Sequence, residues 1–260
     1  VYTTFTPDGA NLYFVVVDGV SNTLYRVPAL GGPRVKVMTD IFGPVSFSPD
    51  GREMTFTRSI RENYQTHLMI ASSDGANERI LRTVDIAEHG VDWSPDGKLI
   101  AYNELNGKDG LRTSVGTDRI SGKTKPLSSE KWDNCYRMVW TNDGKGLVFI
   151  GTKAKEALST RRDPIYYLSL ADGQSRRIST DGSRYLGESL GVTANDEILA
   201  APFNRMSQIW AMNANGDSRT AVQITKGFAD GRGGITPLSD GQVAYLTRNG
   251  DGFSIWKMNS

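Results

Sequence analysis

Cysteine and histidine are nearly missing from this chain of 260 residues: Cys135 stands alone, beside His67 and His89. A lone cysteine excludes internal disulfides and a cysteine-based metal site. The two histidines sit in unlike places, one opening an apolar strand and one in a connection, with no metal-ligand spacing. An excess of either charge is missing as well. Thirty Lys and Arg against 29 Asp and Glu leave a net charge of +1, so no overall basic field attracts nucleic acid or an anionic membrane. No apolar run approaches the ~18 residues of a membrane-spanning helix, and no secretory signal is visible. Amphipathic helices are lacking too; Lys153–Leu158 is a short helix-like stretch inside a loop.

What the chain does have is one phrase written six times. The copies are Phe5-Thr-Pro-Asp8-Gly9, Phe47-Ser-Pro-Asp50-Gly51, Trp93-Ser-Pro-Asp96-Gly97, Trp140-Thr-Asn-Asp143-Gly144, Val192-Thr-Ala-Asn195-Asp196 and Pro237-Leu-Ser-Asp240-Gly241. Proline presets the first corner of a turn, aspartate bonds the backbone ahead of it, and glycine takes the positive φ. An apolar strand precedes each turn and another follows at once. A third strand and a short fourth complete the unit; in the fifth repeat these strands are expected at Glu197–Ala201, Gln208–Met212 and Thr220–Thr225. Four short strands recurring every 40 to 50 or so residues are the signature of a β-propeller blade. The fold class read from this pattern is all-β: a six-bladed propeller of four-stranded antiparallel blades. It forms one domain over 1–260, with blades near 1–40, 41–83, 84–129, 130–180, 181–226 and 227–260. The last blade lacks its outer strand, and the chain opens directly on a first strand at Val1, so a domain from a longer protein is expected. The hydrophobic share of 38% suffices for one packed layer between blades.

The first-strand and Ser-Pro-Asp-Gly pattern, with third strands such as Ile209-Trp-Ala-Met-Asn and Ile255-Trp-Lys-Met-Asn, resembles the WD40-like repeats of the TolB family. The resemblance covers essentially the whole chain. Leu24-Tyr-Arg-Val-Pro-Ala-Leu-Gly-Gly32 looks more like the C-terminal propellers of bacterial membrane-bound Ser/Thr kinases and winged-helix regulators. That likeness implies a sensing or protein-binding domain in the periplasm or otherwise outside the cytoplasm. Similar propellers also cap prolyl-oligopeptidase-type hydrolases.

Catalytic motifs do not hold up. Gly187-Glu-Ser189-Leu-Gly191 fits the G-x-S-x-G elbow, but that motif needs a strand-to-helix turn and a later histidine. Here a first strand follows Ser189, and no histidine does. Asn213-Ala-Asn215-Gly-Asp217 echoes a calcium loop without its terminal glutamate. The expectation is no enzyme, no metal and no cofactor. In a propeller the two kinds of loop emerge on opposite faces, and sorting by face separates the charges. The turn aspartates collect on one side. Arg58, Arg61, Lys108, Arg112, Lys153, Lys155, Arg161, Arg162, Arg205 and Arg248 collect on the other. The longest loops on that basic side, Ser59–Thr66 and Lys153–Asp163, sit where binding residues concentrate. Crossing loops on the same side supply Phe42, His89, Trp132, Arg184, Tyr185, Phe228, Asp230 and Arg232. Aromatic and arginine residues anchor interfaces. The set expected to bind a partner is therefore Phe42, His89, Trp132, Arg184, Tyr185, Asp230 and Arg232, although Trp132 and Tyr185 equally suit packing between blades.

The functional expectation is a monomeric recognition or sensor domain for a protein or peptide, an acidic one by the charge of that rim, with no nucleic acid and no direct membrane insertion. The alternative is an accessory propeller gating substrate access to a prolyl-oligopeptidase-type hydrolase. A third reading is a polysaccharide lyase or glycosidase.

Overall fold

Each early repeat begins with a turn that closes on itself. In the second, the Ser48 hydroxyl donates to Asp50 Oδ1 at 2.6 Å and the Arg52 amide donates to the same oxygen at 3.1 Å. The Gly51 amide reaches the Ser48 carbonyl at 2.8 Å. Gly51 sits at φ +70°, a region glycine enters without steric cost. The same hydroxyl-to-aspartate clasp recurs at Thr6–Asp8, Ser94–Asp96 and Thr141–Asp143.

The computed structural model describes residues 2–17, 22–60, 65–84, 90–154, 163–181, 183–203, 206–227, 229–231, 233–249 and 252–259. The first four repeats each form a four-stranded antiparallel sheet in chain order. The first holds β1 (Tyr2–Phe5), β2 (Asn11–Val17), β3 (Asn22–Pro28) and β4 (Val35–Thr39). The second holds β5 (Phe42–Phe47), β6 (Glu53–Ile60), β7 (Gln65–Ser72) and β8 (Arg79–Val84). The third holds β9 (Asp92–Trp93), β10 (Leu99–Leu105), β11 (Arg112–Asp118) and β12 (Thr124–Pro126). The fourth holds β13 (Trp132–Trp140), β14 (Gly146–Lys153), β15 (Ile165–Ser169) and β16 (Ser175–Arg177). The third and fourth sheets also touch through one bridge between Arg112 and Trp132.

Hydrophobic clusters lie between successive sheets. Tyr13, Val15 and Leu24 pack on Phe47, Met54, Phe56 and Met69; Leu68 and Ile70 pack on Trp93, Ile100 and Tyr102. Ala101 meets Trp132, Met138, Trp140 and Phe149. Each large apolar side chain buried this way contributes about 1.5–3 kcal/mol relative to exposure. Polar seams then fix the angle between neighbours. The residue just before the aromatic of each inner strand reaches across: Thr4 Oγ1 donates to the Val45 carbonyl at 2.8 Å, and Ser46 Oγ to Asp92 Oδ1 at 2.7 Å. The Trp140 amide donates to Asp92 Oδ2 at 2.9 Å. Successive turns also stack, since a methyl added at Gly51 would lie 3.5 Å from Pro7, and one at Gly97 would lie 3.6 Å from Pro49.

The regularity ends after the fourth sheet. β17 (Gly191–Val192) pairs only with β18 (Ile198–Leu199), and β19 (Trp210–Ala211) only with β20 (Val222–Gln223), beside a short 3-10 turn at Ser218–Thr220. The four-stranded sheet expected over 181–226 is therefore replaced by two separate pairs among the described residues. Its turn explains part of this. Val192-Thr-Ala-Asn195-Asp196 has neither proline nor glycine, so Asp196 is driven to φ +59°. Ile198 and Leu199 are both exposed and add no core to hold longer strands. A three-stranded sheet follows, in the order β21 (Ile235–Pro237), β22 (Gln242–Asn249) and β23 (Gly252–Asn259).

The chain divides into two compact units, one of residues 1–156 and 162–202, the other of 157–161 and 203–260. The first contains all four hydrophobic clusters. Among the described residues of the second, Ile209 is the one buried hydrophobic side chain, while Trp210, Phe253 and Ile255 are exposed. No helix among the described residues is long and apolar enough to cross a membrane. Of the helix-like stretch, Lys153 ends β14 and Ala154 is a turn residue, while 155–158 lie outside the described residues.

Candidate recognition site

The structure separates the residues expected to bind a partner. Trp132 is 1% exposed, seated edge-on to Phe149 at 4.8 Å and to Tyr166 at 4.7 Å between ring centroids. It is a core residue, because β13 turns its side chain toward β14 and β15, and no partner reaches it. Phe42 is half-buried at the start of β5, its carbonyl held by the Thr57 hydroxyl. Asp230 is buried in the second unit, where its Oδ2 accepts from the Gly227 amide at 2.9 Å and its backbone is tied to Ser207. His89, Phe228 and Arg232 lie outside the described residues.

Two cations of the expected basic rim are neutralised by carboxylates, Arg58 by Glu78 and Lys153 by Glu130 at 2.8 Å, while Arg112 donates to the Asp133 backbone carbonyl. Lys108 is exposed. Arg61, Lys155, Arg161, Arg162 and Arg205, with the side chain of Arg248 and most of the two long loops, lie outside the described residues. On the opposite side, hydrogen bonds from their own turns hold Asp8, Asp50 and Asp143 below the ordinary carboxylate pKa.

Arg184 and Tyr185 do come together, in the connection that enters the fifth repeat. Asp163, its side chain 5% exposed, accepts from Thr152 Oγ1 at 2.8 Å and from Arg184 Nε at 2.9 Å. The guanidinium is thereby pinned while half of it faces solvent. The Tyr185 hydroxyl donates to Asp181 Oδ2 at 3.0 Å, and burial together with that carboxylate pushes its pKa up. One residue on, the chain makes a tight loop. The Leu186 amide donates to the Ala201 carbonyl at 3.0 Å. Ser189 Oγ donates to the Leu186 carbonyl and accepts from the Ala201 amide, both at 2.8 Å. The hydroxyl of the apparent nucleophile motif is thus spent on holding its own loop. Gly187 is there for closeness: a methyl on it would lie 2.3 Å from Tyr136 Cγ.

This loop forms one wall of a cavity of about 440 Å³, lined by Leu186, Glu188 and Ser189 and, from the first sheet, by Tyr2 and Val17. Leu186 and Val17 are 42% and 58% exposed. Among the described residues of the lining Glu188 is the charged one, and among the described residues it makes no hydrogen bond or ion pair. The sequence offered no sign of this recess, because Tyr2 and Val17 lie far from residue 186 in the chain and belong to no motif.

A second group that motif reading passed over lies on the inner strands. A bulge in β13 between Cys135 and Met138 removes Tyr136 and Arg137 from the ladder with β14. Arg137 acts electrostatically on Asp92, the carboxylate that joins three sheets. Burial pushes the Asp92 pKa up against the opposing pull of its hydrogen bonds and of Arg137. Burial also lowers the Arg137 pKa. The available signal was a carboxylate standing in the repeat position held by Thr4 and Ser46.

No family profile matches the chain. Over 137 residues, 51% of this chain and 19% of the relative, it is 27% identical to dipeptidyl-peptidase 5 of Porphyromonas gingivalis. TolB from Acinetobacter baumannii superposes on all of the chain with a TM-score of 0.58 at 16% identity. A protein assigned as TolB in Agrobacterium tumefaciens gives a TM-score of 0.62 at 17% identity, over 98% of this chain and 79% of its own. The chain spans 51% of the Acinetobacter protein. The likeness to kinase and regulator propellers finds no support in these comparisons. At such identities the shared property is the fold, and that fold is an all-β, TolB-like propeller architecture.

Proposed function

We propose that this chain is a recognition domain that holds a protein or peptide segment in the recess beside Leu186. The observation that carries this reading is the pairing of apolar side chains with a braced wall: the exposed Leu186 and Val17 and the half-buried Tyr2 line about 440 Å³ of open space. Arg184 and Tyr185, next to it, are held by carboxylates before any partner arrives. Fixing such groups in advance reduces the ordering cost of binding, and arginine and tyrosine are frequent interface anchors. Within this reading the chain is one propeller domain, its sixth blade a three-stranded sheet. It is non-catalytic, monomeric, extracytoplasmic, and binds no nucleic acid. The engaged hydroxyl of Ser189 supports the absence of catalysis.

The test is capture from envelope and cytosolic extracts with three folded baits: wild type, Leu186→Asp, and Leu30→Asp on a fully exposed turn. A polypeptide retained by wild type and Leu30→Asp but lost by Leu186→Asp is the expected result. Equal retention by all three baits places recognition elsewhere. The likeness to a dipeptidyl peptidase favours a second reading, an accessory propeller of a prolyl-oligopeptidase-type hydrolase. In that case the captured polypeptide is the hydrolase itself.

A further inference from the structure

We infer that the segment bound in this recess is cationic, presenting lysine or arginine beside an apolar side chain; the inference rests on the recognition reading above. The sequence suggested an acidic partner because arginines and lysines gather on one face. The structure reverses the balance at the recess. Arg184, the nearest cation along this loop, is compensated by Asp163. Asp181 adds a second carboxylate beside Tyr185. Glu188 adds a third, and it alone of these has no hydrogen bond or ion pair among the described residues. Arg177, which acts electrostatically on Tyr185, is a second cation here, and three carboxylates against these two guanidiniums leave the described residues of the loop negative. Glu188 lies among the residues that line the cavity.

A ligand matching this surface places an aliphatic or aromatic side chain against Leu186, Val17 and Tyr2, and an ammonium or guanidinium within reach of Glu188. An acidic segment would meet an unscreened like charge instead, which disfavours the wrong partner. Glu188 is exposed, so its contact with the ligand is salt-sensitive.

The experiment measures binding of three fluorescein-labelled hexapeptide pools, each centred on Leu or Phe and flanked by Lys/Arg, by Asp/Glu or by Ser/Gln. The proteins are wild type, Glu188→Gln, Glu188→Lys and Leu186→Asp, each checked for folding by circular dichroism, in low and high salt. Because Glu188 is exposed and has no partner among the described residues, its variants are expected to fold as wild type. The basic pool should bind best, weaken about three- to tenfold in Glu188→Gln and in high salt, and yield to the acidic pool in Glu188→Lys. If the acidic or neutral pool binds best, indifferent to Glu188→Gln but lost in Leu186→Asp, the recess stands and the cationic partner is overturned. If no pool binds, or binding ignores Leu186→Asp, the recess reading itself falls.

Discussion

Asp50 and Asp92 are the same residue type doing opposite things with their protons. Asp50 is exposed and accepts a hydroxyl and an amide from its own turn, which lowers its pKa. Stability from such a group is fully present above the ordinary carboxylate pKa and is lost as pH falls through the depressed value. Asp92 is half-buried where three sheets meet, and burial raises its pKa. Its contribution is present below the ordinary value and is lost as pH rises through the elevated one. Chemical denaturation at a series of pH values separates the two. The stability difference between wild type and Asp50→Asn should vanish in acid. The wild type should gain on Asp92→Asn as pH falls toward the Asp92 titration. A flat difference in both variants would remove the electrostatic account. Repetition made Asp50 legible, as a turn residue. Asp92 was not, because its role depends on Ser46 and Trp140, each more than forty positions away.

At the scale of elements, local chemistry decides what a sequence reveals. The Ser/Thr-to-Asp clasp and its glycine are contained within five residues, so four sheets could be read directly from four turns. Loops that rest on distant strands could not. The 186–189 loop is the clearest case, since its glycine mimics a catalytic motif and serves instead to let Tyr136 lie against the backbone. Gly187→Ala would force that ring aside, and overpacking of this kind costs about 1–3 kcal/mol. The expected outcome is a lower denaturation midpoint together with weaker binding at the recess. Gly187→Ala with unchanged stability would mean the loop accommodates the methyl by shifting. Trp132 shows the converse case: its type suited an interface anchor or packing between blades equally, and the bulged β13 seats it between Phe149 and Tyr166, an orientation that sequence position alone does not give.

At the scale of the whole molecule, the fold was legible wherever the repeat stayed regular and blurred where it drifted. The first four sheets follow from the repeated phrase, while the seams between them do not. The fifth repeat, written Val192-Thr-Ala-Asn195-Asp196, keeps the rhythm and the Thr193 hydroxyl that accepts from the Asn195 and Glu197 amides, but loses the proline, the glycine and the hydroxyl-to-aspartate clasp. Asp196 occupies the place of the glycine, its amide bonding the Thr193 carbonyl at 3.0 Å. Its carboxylate no longer serves its own turn: Oδ1 accepts from the Asn142 amide at 2.9 Å, and Asn142 Nδ2 donates to the Thr193 carbonyl at 2.8 Å. The fourth turn thus braces the fifth, and the expected consequence is a direction of assembly in which the earlier turns form first and the fifth follows its neighbour. In pulsed hydrogen exchange during refolding, amides of 193–197 should gain protection after those of 141–146, and Asn142→Ala should delay the former and spare the latter. Simultaneous protection in the wild type would show that the fifth turn forms unaided. A single asparagine therefore gives this repeat protein an order of events in time.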